Sequence, residues 1–235
     1  MLHQLPLYVS LVFGATTLAT VWLFYRASRQ SILVLVVLLA WMALQAGLSL
    51  AGFYRQTDAM PPRFPALVIP PLLVLIGLLR TAGGRRFLDS LRLDQLTLLH
   101  TVRIPVELVL FWLFVAGAVP KEMTFEGRNV DIVSGLTAPV VYYLAFVRKR
   151  LSGRGLLIWN LICLGLLVNI VLTAAMAVPS PVQQIAFSQP NIAILYFPFV
   201  WLPSVVVPIV LVAHVSSLRQ LRRKASEKQT DLFIH

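Results

Sequence analysis

The stretch HTVRIPVE places His100, Arg103 and Glu107 at i, i+3 and i+7, directly ahead of the apolar run LVLFWLFVAGAV. That spacing puts an imidazole, a guanidinium and a carboxyl on one face of a helix. Such a face can relay a proton, bind a small solute or offer ligands to a metal. His214 adds a second imidazole in the chain's last apolar run. His100, His214 and Glu107 have the ligand types of a zinc or non-haem iron site, and two histidines alone suit haem. No HExxH pattern is present, so the spacing selects no metal and specifies no cofactor. The plainer alternative is a buried ion pair between Arg103 and Glu107, which stand at i, i+4 in the weaker order.

Other polar residues extend the candidate set. Asn160 and Asn169 are nine apart and so point to opposite faces of one straight helix. Asn169, the deeper of the two, joins the site candidates. Helix–helix hydrogen bonding is the commoner role for such an asparagine, and for Gln45. The segment PKEMTFEGRNVD carries Glu122, Glu126 and Asp131 beside Lys121 and Arg128. On a helical turn Glu122 and Glu126 would stand together and could hold a cation or gate a cationic solute. As a solvated loop they would make only weak local pairs. The later segment PSPVQQIAFSQPN has no charge, and its Gln183, Gln184, Gln189 and Asn191 suit a loop that dips into a bundle mouth.

The elements that must position these groups follow from composition. The chain has 235 residues, 58% hydrophobic and only 12% charged, with a mean hydropathy of +0.82. A soluble domain carries roughly twice that charge fraction. Apolar runs near the ~20 residues of a membrane span recur along the chain. The expectation is an all-α, polytopic membrane protein forming one integral membrane domain. Seven spans are drawn at 6–25, 31–53, 64–80, 100–119, 132–147, 155–178 and 192–215.

Placing the basic residues gives an orientation. Loops after odd-numbered spans and the tail hold Arg26 and Arg29, then Arg80, Arg85, Arg86 and Arg92, then Arg148, Lys149, Arg150 and Arg154, then Arg219, Arg222, Arg223, Lys224 and Lys228. The other loops hold only Arg55, Arg63, Lys121 and Arg128. The positive-inside rule then gives a seven-helix bundle with its N-terminus outside and its C-terminus inside, in a cell membrane such as a bacterial inner membrane. No basic residue precedes the first apolar run, which argues against a cleaved secretory signal. Residues 84–99 suit an interfacial amphipathic helix. The basic tail 216–235 reads as an extension of the last helix that meets anionic lipid headgroups. On this map His100 lies at the inner interface, Arg103 snorkels back to the headgroups, and Glu107 is too deep to do so.

FPALVIP (64–70) and FPFVWLP (197–203) share the pattern F-P-x4-P. If this marks a parallel 3+1+3 repeat, the architecture is analogous to that of the sugar transporters called SWEETs. Prolines 65, 70, 71, 198, 203 and 208 would kink spans 3 and 7, either to line a cavity or to shape packing.

Several classes are excluded or disfavoured. The basic charge is dispersed among short loops, which argues against nucleic acid as the partner. Lone Cys163 gives neither a disulfide nor a CxxC site. No span carries a lysine for a Schiff base, and GxxxxGK[ST] and GxSxG are absent. Three readings remain. One is a protein that binds or transports a small solute or lipid at a polar site in the bundle. The second is a membrane-embedded enzyme, with or without a metal, acting on a lipid or quinone at the inner leaflet. The third is a non-catalytic sensor or scaffold.

Overall fold

A computed structural model describes residues 5–234, with side chains through Ser226. Lys228 and the rest of the expected basic tail beyond Ser226 lie outside the described side chains. The described residues are all helix, turn and loop, without a strand. The principal helices are α1 (Leu7–Ala27), α2 (Ile32–Leu50), α3 (Pro65–Arg80), α4 (Ala82–Ser90), α5 (Leu93–Leu99), α6 (Arg103–Val115), α7 (Ile132–Tyr142), α8 (Gly153–Met176) and α9 (Val207–Ile234). A 3-10 turn, His100–Val102, joins α5 to α6, while π-helical segments continue α7 through Val147 and open α9 from Leu202.

Five of these helical stretches are long and apolar enough to cross a membrane: Leu7–Ala27, Ile32–Leu50, Leu93–Val115, Gly153–Met176 and Leu202–Ser226. The bent pair α3 and α4 makes a sixth if counted as one span. Helix 132–147 falls where a fifth span was expected but is shorter than the others. In the 18-residue apolar stretch that defines each of them, half of Leu93–Val115 and 61% of Leu202–Ser226 are buried, against 17% for α2. The fourth and last spans are therefore the centre of the bundle, and α2 is peripheral.

Two boundaries differ from expectation. The central span begins at Leu93, not at 100, so the expected surface helix 84–99 is two elements, α4 and the start of the central span. Leu91 is extended, and Arg92 N–H donates to Ala27 O, which ends α4 and restarts the chain. Leu96 and Leu99 are then fully buried, because they continue the core face of the span. Asp94 and Gln95 conceal that start in the sequence. The last span is 202–226 rather than 192–215, because 193–201 is spent in a 3-10 turn and further turns.

The turn between α3 and α4 is 98°. Thr81 Oγ1 accepts from Gly84 N–H, and Arg85 Nη1 donates to the free carbonyls of Leu79 and Arg80. Gly84 packs against the backbone of Leu78, where a Cβ would collide. The α4 elbow is fixed to α9: Arg219 grips Asp89 at 2.8 and 3.1 Å, and Gln220 Nε2 donates to Leu88 O and Leu91 O. Arg29 Nε donates to Ser90 O. The loops after α1, α3 and their neighbours thus meet at one end of the bundle, the basic end.

The proline pattern falls in unlike settings. Pro65 opens α3 and Pro70 lies inside it, whereas Pro198 sits in a turn and Pro203 in the π-segment. Pro208 cannot donate to Ser204 O, and Trp41 Nε1 of α2 takes that carbonyl at 2.8 Å. A neighbouring helix thus satisfies the group the proline leaves free. Trp201 Nε1 returns a bond to Met42 O.

At the other end, Tyr54 is buried and donates to Gln45 Oε1 at 2.5 Å, while Ser49 donates to Leu195 O. Burial pushes the Tyr54 phenol up from 10.0 to about 12, with the Gln45 bond acting in the opposite direction. The neutral phenol is the folded form. Its contribution is intact below pH 10 and is lost as pH rises through about 12. Thermal unfolding in detergent should show a loss of stability over that range that is shallower in Tyr54→Phe. At neutral pH the same variant should be destabilised by about 1–3 kcal/mol, because Gln45 Oε1 is left buried without a donor.

Helix α7 lies close against α6 at Gly135, where a Cβ would stand 2.9 Å from Ile104 Cγ1 and 3.0 Å from Ile104 N. Gly135→Leu should therefore separate the two helices. The expected readout is a fall in the thermal midpoint larger than that of Gly165→Leu, where a Cβ meets nothing within 4 Å.

Candidate functional site

Arg103 lies ten residues into the central span, about 15 Å along its axis. It is 3% exposed. Snorkelling to headgroups is thereby replaced by internal pairing. The close contact at Gly135 brings the N-terminus of α7 beside α6, and Asp131 with it. Arg103 Nη1 meets Asp131 Oδ1 at 2.9 Å and also donates to Cys163 O of α8 at 3.3 Å. Ser134 Oγ donates to the same Asp131 oxygen at 3.4 Å.

The second guanidinium nitrogen fixes a histidine. Arg103 Nη2 stands 2.9 Å from His214 Nε2, and a guanidinium only donates. His214 Nε2 is therefore the acceptor, and its proton resides on Nδ1. That nitrogen donates to Asn160 Oδ1 at 3.1 Å, and Asn160 Nδ2 donates to Leu156 O. His214 is thus a neutral imidazole, with both nitrogens engaged. His100 stacks on it, centroids 4.1 Å apart at 20°, and meets Trp159 edge-on at 5.5 Å. Trp159 Nε1 donates to Thr137 Oγ1.

Above Arg103 the segment 116–131 folds back into the bundle. Met123, Thr124 and Asn129 are buried. Asn129 Oδ1 accepts from Asp131 N–H at 3.0 Å, fixing the start of α7, and its Nδ2 donates to Met123 O and to Glu107 Oε1. The uncharged segment before α9 closes over the same end. Gln189 Nε2 donates to Phe114 O and Val119 O, and Ile192 and Ala193 N–H donate to Ala118 O.

Five residues from four elements, His100, Arg103, Glu107, Asp131 and His214, are therefore gathered with Asn129 and Asn160. All seven are buried. The gathering differs from the expected one in five respects. Arg103 pairs with Asp131 and not with Glu107. His100 is enclosed at mid-bundle and not at an interface. His100, Glu107 and His214 do not form a metal set: His214 Nε2 already faces a cation, and no group of three His, Cys, Asp or Glu among the described residues is arranged to hold one. Asn169 is exposed and donates to Arg128 O, whereas Asn160, on the opposite face, reaches the site. Glu122 falls on the 3-10 turn Lys121–Met123, which extended Thr124 ends, and Glu126 lies in the turn beyond, so no helix aligns them, and of the three acidic residues in that segment only Asp131 joins the cluster. Asn129 was not anticipated. Its place two residues before Asp131, at the start of a helix, was the available signal.

Seven buried side-chain atoms among the described residues have no partner, and four belong to HTVRIPVE: both nitrogens of His100, Arg103 Nε and Glu107 Oε2. Unsatisfied polar atoms are few in native interiors, so their concentration on one helix face marks the place where a further ligand, proton or water has most to gain.

Removing one partner of a buried ion pair costs about 3–5 kcal/mol, because the other charge is left uncompensated. Arg103→Met and Asp131→Leu alone should each lower the thermal midpoint strongly in detergent. The double substitution should recover much of the loss. Additive losses would show that the two residues do not act as a pair.

No curated protein and no solved structure matches the chain. One family model does, over residues 66–222, from α3 through the α4-bound part of α9 and including every residue of the cluster. That match covers more than half of the chain, which belongs to the family described as Domain of unknown function (DUF8737).

Proposed function

We propose that this is a seven-span integral membrane protein, N-terminus outside and C-terminus inside, that takes up a proton or small cation at Glu107 and couples it to binding or transport of a small solute. Several helices long and apolar enough to span a bilayer support the membrane placement. Helix 132–147 supplies the seventh span, its short length offset by the segment 116–131 that folds in above it. The basic residues of the α4 end supply the orientation.

One observation carries the functional reading. The cluster holds one guanidinium and two carboxyls, with His214 held neutral. With both carboxylates ionised, it would carry one net negative charge inside the bundle. A charge at mid-membrane costs about 2.5–3.5 kcal/mol even on insertion scales. A proton or small cation at Glu107 balances the cluster, and the unpartnered Oε2 offers it a place. Intramembrane carboxyl and histidine groups are the usual components of proton relays and ion pathways. The second reading is a scaffold. It is favoured by the mutual bonding of Asp131, Asn129, Asn160 and His214, which would lock α6, α7, α8 and α9 together.

The two readings separate in sealed vesicles carrying the purified protein and an internal pH dye. Wild-type vesicles should dissipate an imposed pH gradient several-fold faster than empty vesicles. Glu107→Gln keeps an acceptor for Asn129 and should fold with an unchanged midpoint, yet fall to the empty-vesicle rate. Equal rates for wild type and variant would leave the scaffold.

A further inference from the structure

A groove runs down the outside of the bundle between α3 and α9. Its upper part, about 160 Å³, is walled by Val68, Leu72 and Leu75 of α3, Val171 of α8, and Pro208 and Leu211 of α9. One helical turn further along both walls, a second recess of about 410 Å³ is lined by Leu79, Val215, Leu218, Arg219 and Arg222. The two lie one after the other along the same pair of helices, because Leu75 to Leu79 and Leu211 to Val215 are each a single turn. From Val207 to Arg222 the path is about 22 Å long. That exceeds half of the ~30 Å hydrocarbon thickness of a bilayer, so it accommodates a chain from one leaflet.

The groove is apolar along its length and cationic at its mouth. Arg219 is anchored there by Asp89, which leaves its position fixed. Arg222 is exposed, with no partner among the described residues. The mouth opens at the basic end, beside the α3–α4 elbow. An apolar channel that ends in a fixed and an exposed guanidinium complements a molecule with a long hydrocarbon chain and an anionic head.

We infer that this groove is a binding site for one anionic phospholipid of the inner leaflet, its acyl chain lying between α3, α8 and α9 and its phosphate at Arg219 and Arg222. The site shares the membrane orientation proposed above but does not depend on proton uptake at Glu107, and its test reads no flux.

The full chain would be analysed by native mass spectrometry in mild detergent, with added phosphatidylglycerol or phosphatidylcholine of the same chain length. Wild type should retain one phosphatidylglycerol at concentrations where phosphatidylcholine is lost. Arg222→Gln should lower that preference at least several-fold, and Leu72→Trp, which fills the groove, should abolish retention of both lipids. The thermal midpoints of both variants establish that they fold, and Leu75→Phe replaces Leu72→Trp if the latter does not. Equal retention of the two lipids by wild type would overturn the proposal. So would an unchanged preference in Arg222→Gln, displacement of the lipid by inorganic phosphate alone, or a dimer that Leu72→Trp dissociates, which would make the groove a contact for a second copy of this chain.

Discussion

A guanidinium buried about 15 Å along the central helix is the constraint on which the rest of this architecture depends. Arg103 is 3% exposed, so its donors need acceptors inside the bundle, and its two terminal nitrogens have them while Nε does not. It finds a carboxylate at the start of α7, a carbonyl on α8 and an imidazole on α9. Each partner imposes a local requirement. Asp131 reaches Arg103 only because Gly135 lets α7 lie against α6. Asn129 must then be buried to hold the start of α7, which draws segment 116–131 into the bundle. His214 can accept from Arg103 only as the Nδ1 tautomer, which Asn160 secures.

Hydrocarbon gives helices little reason to associate through apolar surface alone, so polar contacts and close packing set the arrangement of a membrane bundle. The same economy operates away from the cluster. Trp41 closes the carbonyl that Pro208 leaves free, and Trp201 bonds back to α2. Thr16, Thr17 and Thr20 return their hydroxyls to carbonyls of their own helix. Against that background the unpartnered atoms of His100, Arg103 and Glu107 stand apart. They occupy one face of one helix, in a bundle that otherwise satisfies most of its polar groups.

Leu93–Val115 lies at the centre of the bundle. Inward it presents the titratable cluster. Across the bundle, the α3–α9 groove is apolar and faces outward, with its cations at the basic end. Helix α9 contributes to both, with His214 on its inner face and Leu211, Val215 and Arg222 on its outer face.

The sequence by itself determined the all-helical class, the membrane-like composition and the spacing that puts His100, Arg103 and Glu107 on one face. These are local properties, set by hydropathy and by the 3.6-residue period. It also separated Asn160 from Asn169 by face, although not which of them turns inward. Partners lay beyond its reach. Arg103 and Glu107, at i, i+4, had an obvious local match, yet Asp131, twenty-eight residues further on, takes the guanidinium. Asp94 and Gln95 interrupted the hydropathy and displaced the start of the central span, because a polar residue in a helix carries no mark of whether it ends the helix or turns into the core. The repeated F-P-x4-P pattern fell into unlike structures for the same reason: the two copies meet different neighbours. Which charge meets which, and which face is inside, depends on the approach of helices remote in sequence. Here that approach was decided by a missing Cβ at Gly135 and by the need of one buried cation for acceptors.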